Sequence, residues 1–247
     1  SSTGAADSWQ QANVLAIETS SSRCCVALRS GGNPCIDDRD ADRSHKELLL
    51  LMVHELCAQA GIRPGQLQAV GCGAGPGSFT GVRIGTAATQ ALALAARAPV
   101  VMVNSLDVLA YGAAVQASSN PSMQQDLHNG CICARRSRAS AYYMAHFPGL
   151  TDPDGVSGTR GPMSLVQSLA EFQTWHAAQA AMPERLPIIG ELPDWLAADA
   201  GWHTADTVAS GSAVLALTLL GLAAGTAVAA AAAVPVYLPE DSPWRPA

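Results

Sequence analysis

Hydrophobic and polar positions divide the chain into short apolar runs separated by Gly, Ser, Asp and Pro. Val14-Leu15-Ala16-Ile17 is a buried strand ending in the hydroxyl-rich turn Glu18-Thr19-Ser20-Ser21-Ser22. Cys24 to Leu28 is a second strand, Gly31-Gly32-Asn33-Pro34 a turn, and Ile36 belongs to a third strand whose acidic run Asp37 to Asp42 marks it as an edge. Ser44-x-x-Glu47 predicts a capping box opening a helix to about Ala60, with Gly61 as its stop and Pro64 beyond. Leu48 to Val53 are six consecutive apolar residues, which cover the whole circumference of a helix. That helix is either sandwiched inside the fold or offers a second face to a partner.

The apolar run Leu67 to Cys72 leads into Gly73-Ala74-Gly75-Pro76-Gly77-Ser78-Phe79-Thr80-Gly81-Val82-Arg83-Ile84-Gly85 and an Ala/Leu segment reaching Arg97. Strand, glycine turn and helix present backbone N–H groups to an anion or a close neighbour. No Lys follows the glycines, so this is not a Walker A loop, and the glycine spacing does not fit a dinucleotide fingerprint. Ser78 reads as the helix cap. Gly81, Gly85, Thr89, Leu92 and Ala96 share one small face, and glycines there cost roughly 1 kcal/mol each relative to Ala. Close approach by a partner helix is the expected compensation.

Beyond this, Val100 to Val103 is a strand, and Asn104 or Ser105 caps a helix from Leu106 to about Val115. Residues 116–130 read as a loop. Cys131 to Arg135 and Ser140 to Phe147 form a hairpin, 148–162 a second loop, Leu165 to Ala181 a helix, Leu186 to Ile189 a strand and Asp194 to Asp199 a short helix. Ala213 to Val234 is uncharged. Its Ala-rich composition, Gly225 and lack of basic or aromatic flanks favour a buried helix, a linker and a strand Val234 to Leu238 over a membrane span. No repeat is evident.

Composition narrows the chemistry. The 247 residues are 49% hydrophobic and 14% charged, enough for a sizeable core, and the net charge of −6 opposes an electrostatic grip on nucleic acid by this chain alone. The short basic cluster Arg135, Arg136 and Arg138 is a solvated strand end or a small functional patch. Seven cysteines show no CxxC spacing, which argues for a reducing compartment. Residues 1–11 lack a signal-peptide pattern and read as a scar or the stub of a removed targeting segment. No HxxxH or HExxH occurs, and His45 and His54, nine residues apart, face different directions on their helix, so no metal site is expected. Gly77-Ser78-Phe79-Thr80-Gly81 is one residue out of register for a serine-nucleophile elbow. Glu18 with Thr19 and Ser20 suits a hydrated cation and a phosphate, or simply a strand-end turn.

Taken in order, Leu15-Ala16-Ile17-Glu18-Thr19-Ser20, Cys25-Val26-Ala27-Leu28, Arg43-Ser44-His45-Lys46-Glu47-Leu48-Leu49, Gly75 to Gly85 and Pro235-Val236-Tyr237-Leu238 closely resemble the TsaB (YeaZ) family, densely from Val14 to about Leu109 and thinly afterwards. The resemblance implies an α/β, actin-like ATPase-domain (ASKHA) fold of two lobes, 12–108 and a degenerate 109–247. It implies a non-catalytic subunit that pairs with a TsaD-like transferase, works with a TsaE-like ATPase and serves threonylcarbamoyl-adenosine tRNA modification in the cytoplasm, or in an organelle matrix or stroma if the N-terminus is processed. Partner contacts fall on Ser44, His45, Leu48, Leu49, Met52, Val53, Gly81, Gly85 and Thr89. Nucleotide contacts, if this chain makes them, fall on Glu18, Thr19, Gly75, Gly77, Ser78 and Thr80. No intrinsic cofactor, no metal and no catalytic residue are expected; ATP or ADP would sit at the partner interface, tRNA would be met only through the complex, and a homodimer would form when the chain is alone. Glu18 replaces the family's usual Asp, Cys133-Ala134-Arg135 its Asp-Ala-Arg, and Pro239 its Arg after Tyr-Leu. Each points away from catalysis. The alternatives are an ASKHA-type phosphotransferase or hydrolase acting alone through Glu18 and the glycine loop, and a module that binds tRNA directly.

Overall fold

The computed structural model describes residues 9, 11–41, 44–138, 140–150, 160–179, 182–183, 185–197, 202, 204–205 and 208–238. Two compact units emerge: 1–108 with 209–235, and 109–208 with 236–247. The return of 209–235 to the first unit has no mark in the sequence, because nothing in the residues after 109 signals a second crossing.

The first unit is built on a five-stranded sheet of order β3-β2-β1-β4-β5, with β1 (Val14–Glu18), β2 (Arg23–Ser30), β3 (Asn33–Asp40), β4 (Ala69–Gly73) and β5 (Val100–Val103). The first three strands form an antiparallel meander, whereas β4 and β5 run parallel to β1. The turn between β2 and β3 rests on Gly31 and Gly32, both at positive φ, and Asn33 and Pro34 already belong to β3. Proline and three aspartates suit an edge strand, where a backbone donor is dispensable and charge discourages further pairing. Leu15, Ile17, Val26, Leu28, Val70 and Cys72 line one face and pack against Leu49, Met52, Val53, Leu56 and Ala93 of helices α1 (His45–Gln59) and α2 (Phe79–Ala96).

The opposite face takes helix α7 (Gly211–Ala223). The contact is close because Gly71 has no side chain: a Cβ there would lie 1.8 Å from Thr218 Oγ1. The uncharged Ala-rich segment is therefore the second cover of the sheet, and among the described residues no helix is long and apolar enough to cross a membrane. The helix stops at Gly225 (φ +71°), as expected. In place of the expected strand Val234 to Leu238 the chain is irregular, tied down by the Val100–Val228 pairing and by Gln90 Nε2 donating to the Ala233 carbonyl at 2.6 Å. Pro235 within it has no N–H to give to a ladder.

The start of α7 carries a testable detail. Asp38 Oδ1 accepts the Gly211 N–H at 2.8 Å, while burial, outweighing that hydrogen bond, raises the Asp38 carboxyl above the ordinary Asp range. A raised folded pKa means that this group's contribution is fully present at acid pH and lost as pH rises through that pKa. Asp38→Asn keeps an acceptor without the charge, so its stability relative to wild type should improve from pH 4 to pH 7 in urea unfolding. Asp38→Ala removes the acceptor for the Gly211 N–H, leaving the Ser210 cap in place, and should cost about 1 kcal/mol.

The second unit holds a sheet of order β10-β9-β6-β7-β8: β6 (Cys131–Arg138), β7 (Ala141–Phe147), β8 (Ser164–Val166), β9 (Ile188–Gly190) and β10 (Thr204–Ala205). The expected hairpin is β6–β7. Its core gathers Ile132, Tyr142, Met144, Phe172, Trp175, Ile188 and Leu196, with Trp195 and Trp202 against them. Three expectations change here. Helix α3 (Ser105–Ser118) runs past Val115, and α4 (Pro121–Leu127) occupies the supposed loop 116–130, with Asn120 capping Met123 and Pro121 in the first helical position. The supposed helix Leu165 to Ala181 is strand β8 followed by α5 (Leu169–Ala178), whose N-cap is Ser168. The short helix α6 is Asp194–Ala197. Pro239, residues 151–159 of the second loop, and Ala181 and Asp199 lie outside the described residues.

Candidate functional site

The glycine segment begins where β1 and β4 end. Glu18 is 1% exposed; its Oε1 accepts the Ser20 N–H at 2.6 Å and its Oε2 the Ser105 hydroxyl at 2.7 Å. Ser105 Oγ in turn accepts the Gly75 N–H at 3.2 Å, and the Ser105 N–H donates to the Gly75 carbonyl at 2.8 Å. Ser78 N–H donates to the Ser20 carbonyl at 2.7 Å, and Ser78 caps α2 by accepting the Gly81 N–H at 3.3 Å. Thr19, fully buried, donates its hydroxyl to the Gly81 carbonyl at 2.9 Å. The glycines are the condition for this closure. A Cβ at Gly77 would lie 2.3 Å from the Ser20 carbonyl oxygen, at Gly81 2.1 Å from that of Thr19, and at Gly85 2.3 Å from Thr19 Oγ1.

These distances correct the reading of the small face. Gly81 and Gly85 are buried against the chain's own β1 and its turn, and Thr89 is buried beside Cys72 of β4; none is presented to a partner. On α1, Leu49, Met52 and Val53 are likewise core residues, and Leu48 is half-buried. His45 is buried, its Nε2–H donating to the Ser21 carbonyl at 2.9 Å. Ser44 is exposed but makes no capping hydrogen bond: at φ −100°, ψ 26° it lacks the extended geometry that aims a hydroxyl at the first turn, so the capping box does not form. On these two helices the large apolar side chains left open are Leu50 (57% exposed) and Leu51 (48%) on α1 and Leu94 (73%) and Phe79 on α2, with the Arg83 guanidinium 3.6 Å over the Phe79 ring. Ala87, Ala91 and Ala95 are exposed on the same helix at successive turns. The sequence signalled an excess of apolar residues on α1 but not its phase, since an unbroken apolar run has none.

No group of three or more His, Cys, Asp or Glu among the described residues is placed to hold a metal ion. The seven cysteines are free, and burial lifts Cys72 to about 11 and Cys24 to about 12, so neither thiol supplies a ready nucleophile.

A family model described as "TsaD: tRNA N6-adenosine threonylcarbamoyltransferase" matches residues 14–125. The tRNA threonylcarbamoyladenosine biosynthesis protein TsaB of Haemophilus influenzae is 38% identical over 104 residues, covering 42% of this chain and 44% of that protein. The Escherichia coli TsaB is 39% identical over 100 residues, covering 40% and 43%. The chain resembles the TsaB (YeaZ) family. It spans less than half the length of these curated relatives. In three dimensions, YeaZ from Pseudomonas aeruginosa aligns over 92% of this chain and 100% of its own with a TM-score of 0.68 at 24% identity. The fold is of the actin-like ATPase-domain class that this likeness implies.

The six candidate nucleotide contacts divide between the interior and the surface. Glu18, Thr19, Gly75 and Gly77 are buried, Glu18 accepts one hydrogen bond on each oxygen, and the space beside Gly77, Gly81 and Gly85 is filled by β1 and its turn. Only Thr80, exposed, and Ser78, half-exposed, face outward. In the second unit the basic cluster is largely neutralised: Arg135, 3% exposed, lies 3.8 Å from Glu191, and Arg136 lies 3.7 Å from Glu191 and 3.6 Å from Asp194.

Proposed function

We propose that this chain is a non-catalytic partner subunit in threonylcarbamoyl-adenosine modification of tRNA. It pairs through the outer faces of α1 and α2 with a TsaD-like transferase and works with a TsaE-like ATPase. The observation that carries the reading is the apolar surface of Leu50, Leu51, Phe79 and Leu94 on two neighbouring helices of a lobe whose glycine loop is closed. Exposed clustered leucines are what a partner-covered face requires. The names of the TsaB relatives supply the pathway.

In this reading the interface moves from the buried positions Leu49, Met52, Val53, Gly81, Gly85 and Thr89 to their exposed neighbours, with Ser44 and Leu48 at its margin. The chain contributes no catalytic group and holds no nucleotide by itself. ATP or ADP at the interface meets Ser78 and Thr80 from this side and takes its other contacts from the partner. tRNA is met through the complex, as the acidic balance requires, and without its partner the same surface supports a homodimer. The complex works where tRNA is modified, in the cytoplasm or an organelle matrix or stroma. The independent phosphotransferase or hydrolase is the less supported reading, because Glu18 is buried and bonded to Ser20 and Ser105.

Co-purification with a TsaD-like protein tests this, with and without ATP. A stable complex is expected for wild type, and ATP turnover by the isolated chain that falls in Glu18→Gln would overturn it.

A further inference from the structure

We infer that Glu18 is an internal anion: its carboxylate holds the glycine loop shut on the chain itself, so that the closed loop does not depend on a phosphate. Every group involved lies in the first unit, so this lock is independent of the pairing proposed above. A carboxylate 1% exposed is costly unless its charge is compensated. No salt bridge among the described residues includes Glu18. Its compensation is two hydrogen bonds, from the Ser20 N–H in the turn after β1 and from the Ser105 hydroxyl at the start of α3. Through Ser105 the link continues to the Gly75 N–H. One side chain thereby ties together the turn, the glycine loop and the strand-to-helix junction after β5, the segments that would otherwise converge on a bound anion.

The length of the side chain and the glycine opposite it are matched. A Cβ at Gly73 would lie 2.2 Å from Glu18 Oε2, so any other residue there would exclude the carboxylate from its position. Aspartate at 18 would withdraw the carboxylate by about 1.5 Å, one C–C bond, and lose the Ser105 hydroxyl, while the Ser20 N–H two residues on stays within reach of an Asx-type bond. The length of Glu18 thus has a structural function in this chain: its second methylene carries the carboxylate to Ser105.

Hydrogen exchange of the isolated full chain, with thermal melts in the presence and absence of inorganic phosphate or Mg-ATP, tests the lock. In the wild type the Ser20 and Gly75 amides should be protected and neither probe should raise Tm. Glu18→Asp should speed exchange at Gly75 roughly tenfold, the loss of about one hydrogen bond, and leave Ser20 slow. Glu18→Gln should keep Gly75 protected, because its amide can donate to a Ser105 hydroxyl that still accepts from Gly75. Should Glu18→Asp fail to fold, Ser105→Ala replaces it; exchange should then rise at Gly75 and stay slow at Ser20. Unchanged exchange at Gly75 in both Glu18→Asp and Ser105→Ala overturns the lock, as does a wild-type Tm raised by phosphate or Mg-ATP.

Discussion

Replacing Gly81 by alanine should destabilise the isolated chain by about 3 kcal/mol and lower its Tm by roughly 10 °C. Helix propensity alone predicts the reverse, since alanine in a helix is favoured over glycine by about 1 kcal/mol. The added methyl would lie 2.1 Å from the Thr19 carbonyl oxygen, a backbone atom at the end of β1 that cannot rotate away. Relieving the overlap means moving α2 off the sheet. That also stretches the 2.9 Å bond from the Thr19 hydroxyl to the Gly81 carbonyl, worth about 1 kcal/mol. Gly85→Ala is the internal comparison. Its methyl would meet Thr19 Oγ1 at 2.3 Å, a side-chain atom that can turn aside, so the loss should be smaller. Calorimetry of the two variants checks the order. Equal melting temperatures for wild type and Gly81→Ala would show that the face does not dock on β1, and would return it to a partner.

Replacing Leu50 by glutamate should leave Tm unchanged and reduce affinity for a TsaD-like partner by at least about thirtyfold. Leu50 is 57% exposed, and leucine and glutamate have similar helix propensities, so the isolated chain should change by no more than about 0.5 kcal/mol. In a complex the same position would be covered. The loss of its apolar burial costs about 2 kcal/mol and an unpaired carboxylate adds to it. Leu51→Glu should act in the same direction. Leu49→Glu, one residue away, places a charge in a site 1% exposed and should prevent folding, so it tests nothing about pairing. Titration of the partner by calorimetry, alongside melts of each variant, separates the two effects. Full affinity in a folded Leu50→Glu, Leu51→Glu double variant would remove α1 from the interface.

The contrast between Leu49 and Leu50 shows where sequence reasoning reaches its limit. Six apolar residues in a row announce surplus hydrophobic surface, but only the position of the sheet decides which three are core. Local signals that carry their own geometry did better. Gly61 (φ +67°) and Gly225 stop their helices where expected, because positive φ is a property of the residue itself. Asn120-Pro121 and Ser168 with Glu171 are equally local, as a cap with proline in the first turn and a cap whose Glu171 side chain accepts the Gln167 N–H at 2.8 Å; both helix starts lie inside broader polar or apolar patterns that obscure them. Val234 to Leu238 had strand-like residues but no neighbouring strand to pair with among the described elements.

For the glycine stretch Gly73 to Gly85, the sequence alone determined that a strand, a tight turn and a capped helix come in succession and that something approaches the backbone closely there. It also determined the family likeness, because motif order survives without coordinates. Only the tertiary structure decided what makes the approach. The space that glycine leaves is equally suited to a phosphate, a partner helix or the chain's own β1, and spacing along one chain cannot tell them apart. Thr19, Ser20 and Glu18 fill it, because the parallel pairing of β1 with β4 brings the ends of both strands together.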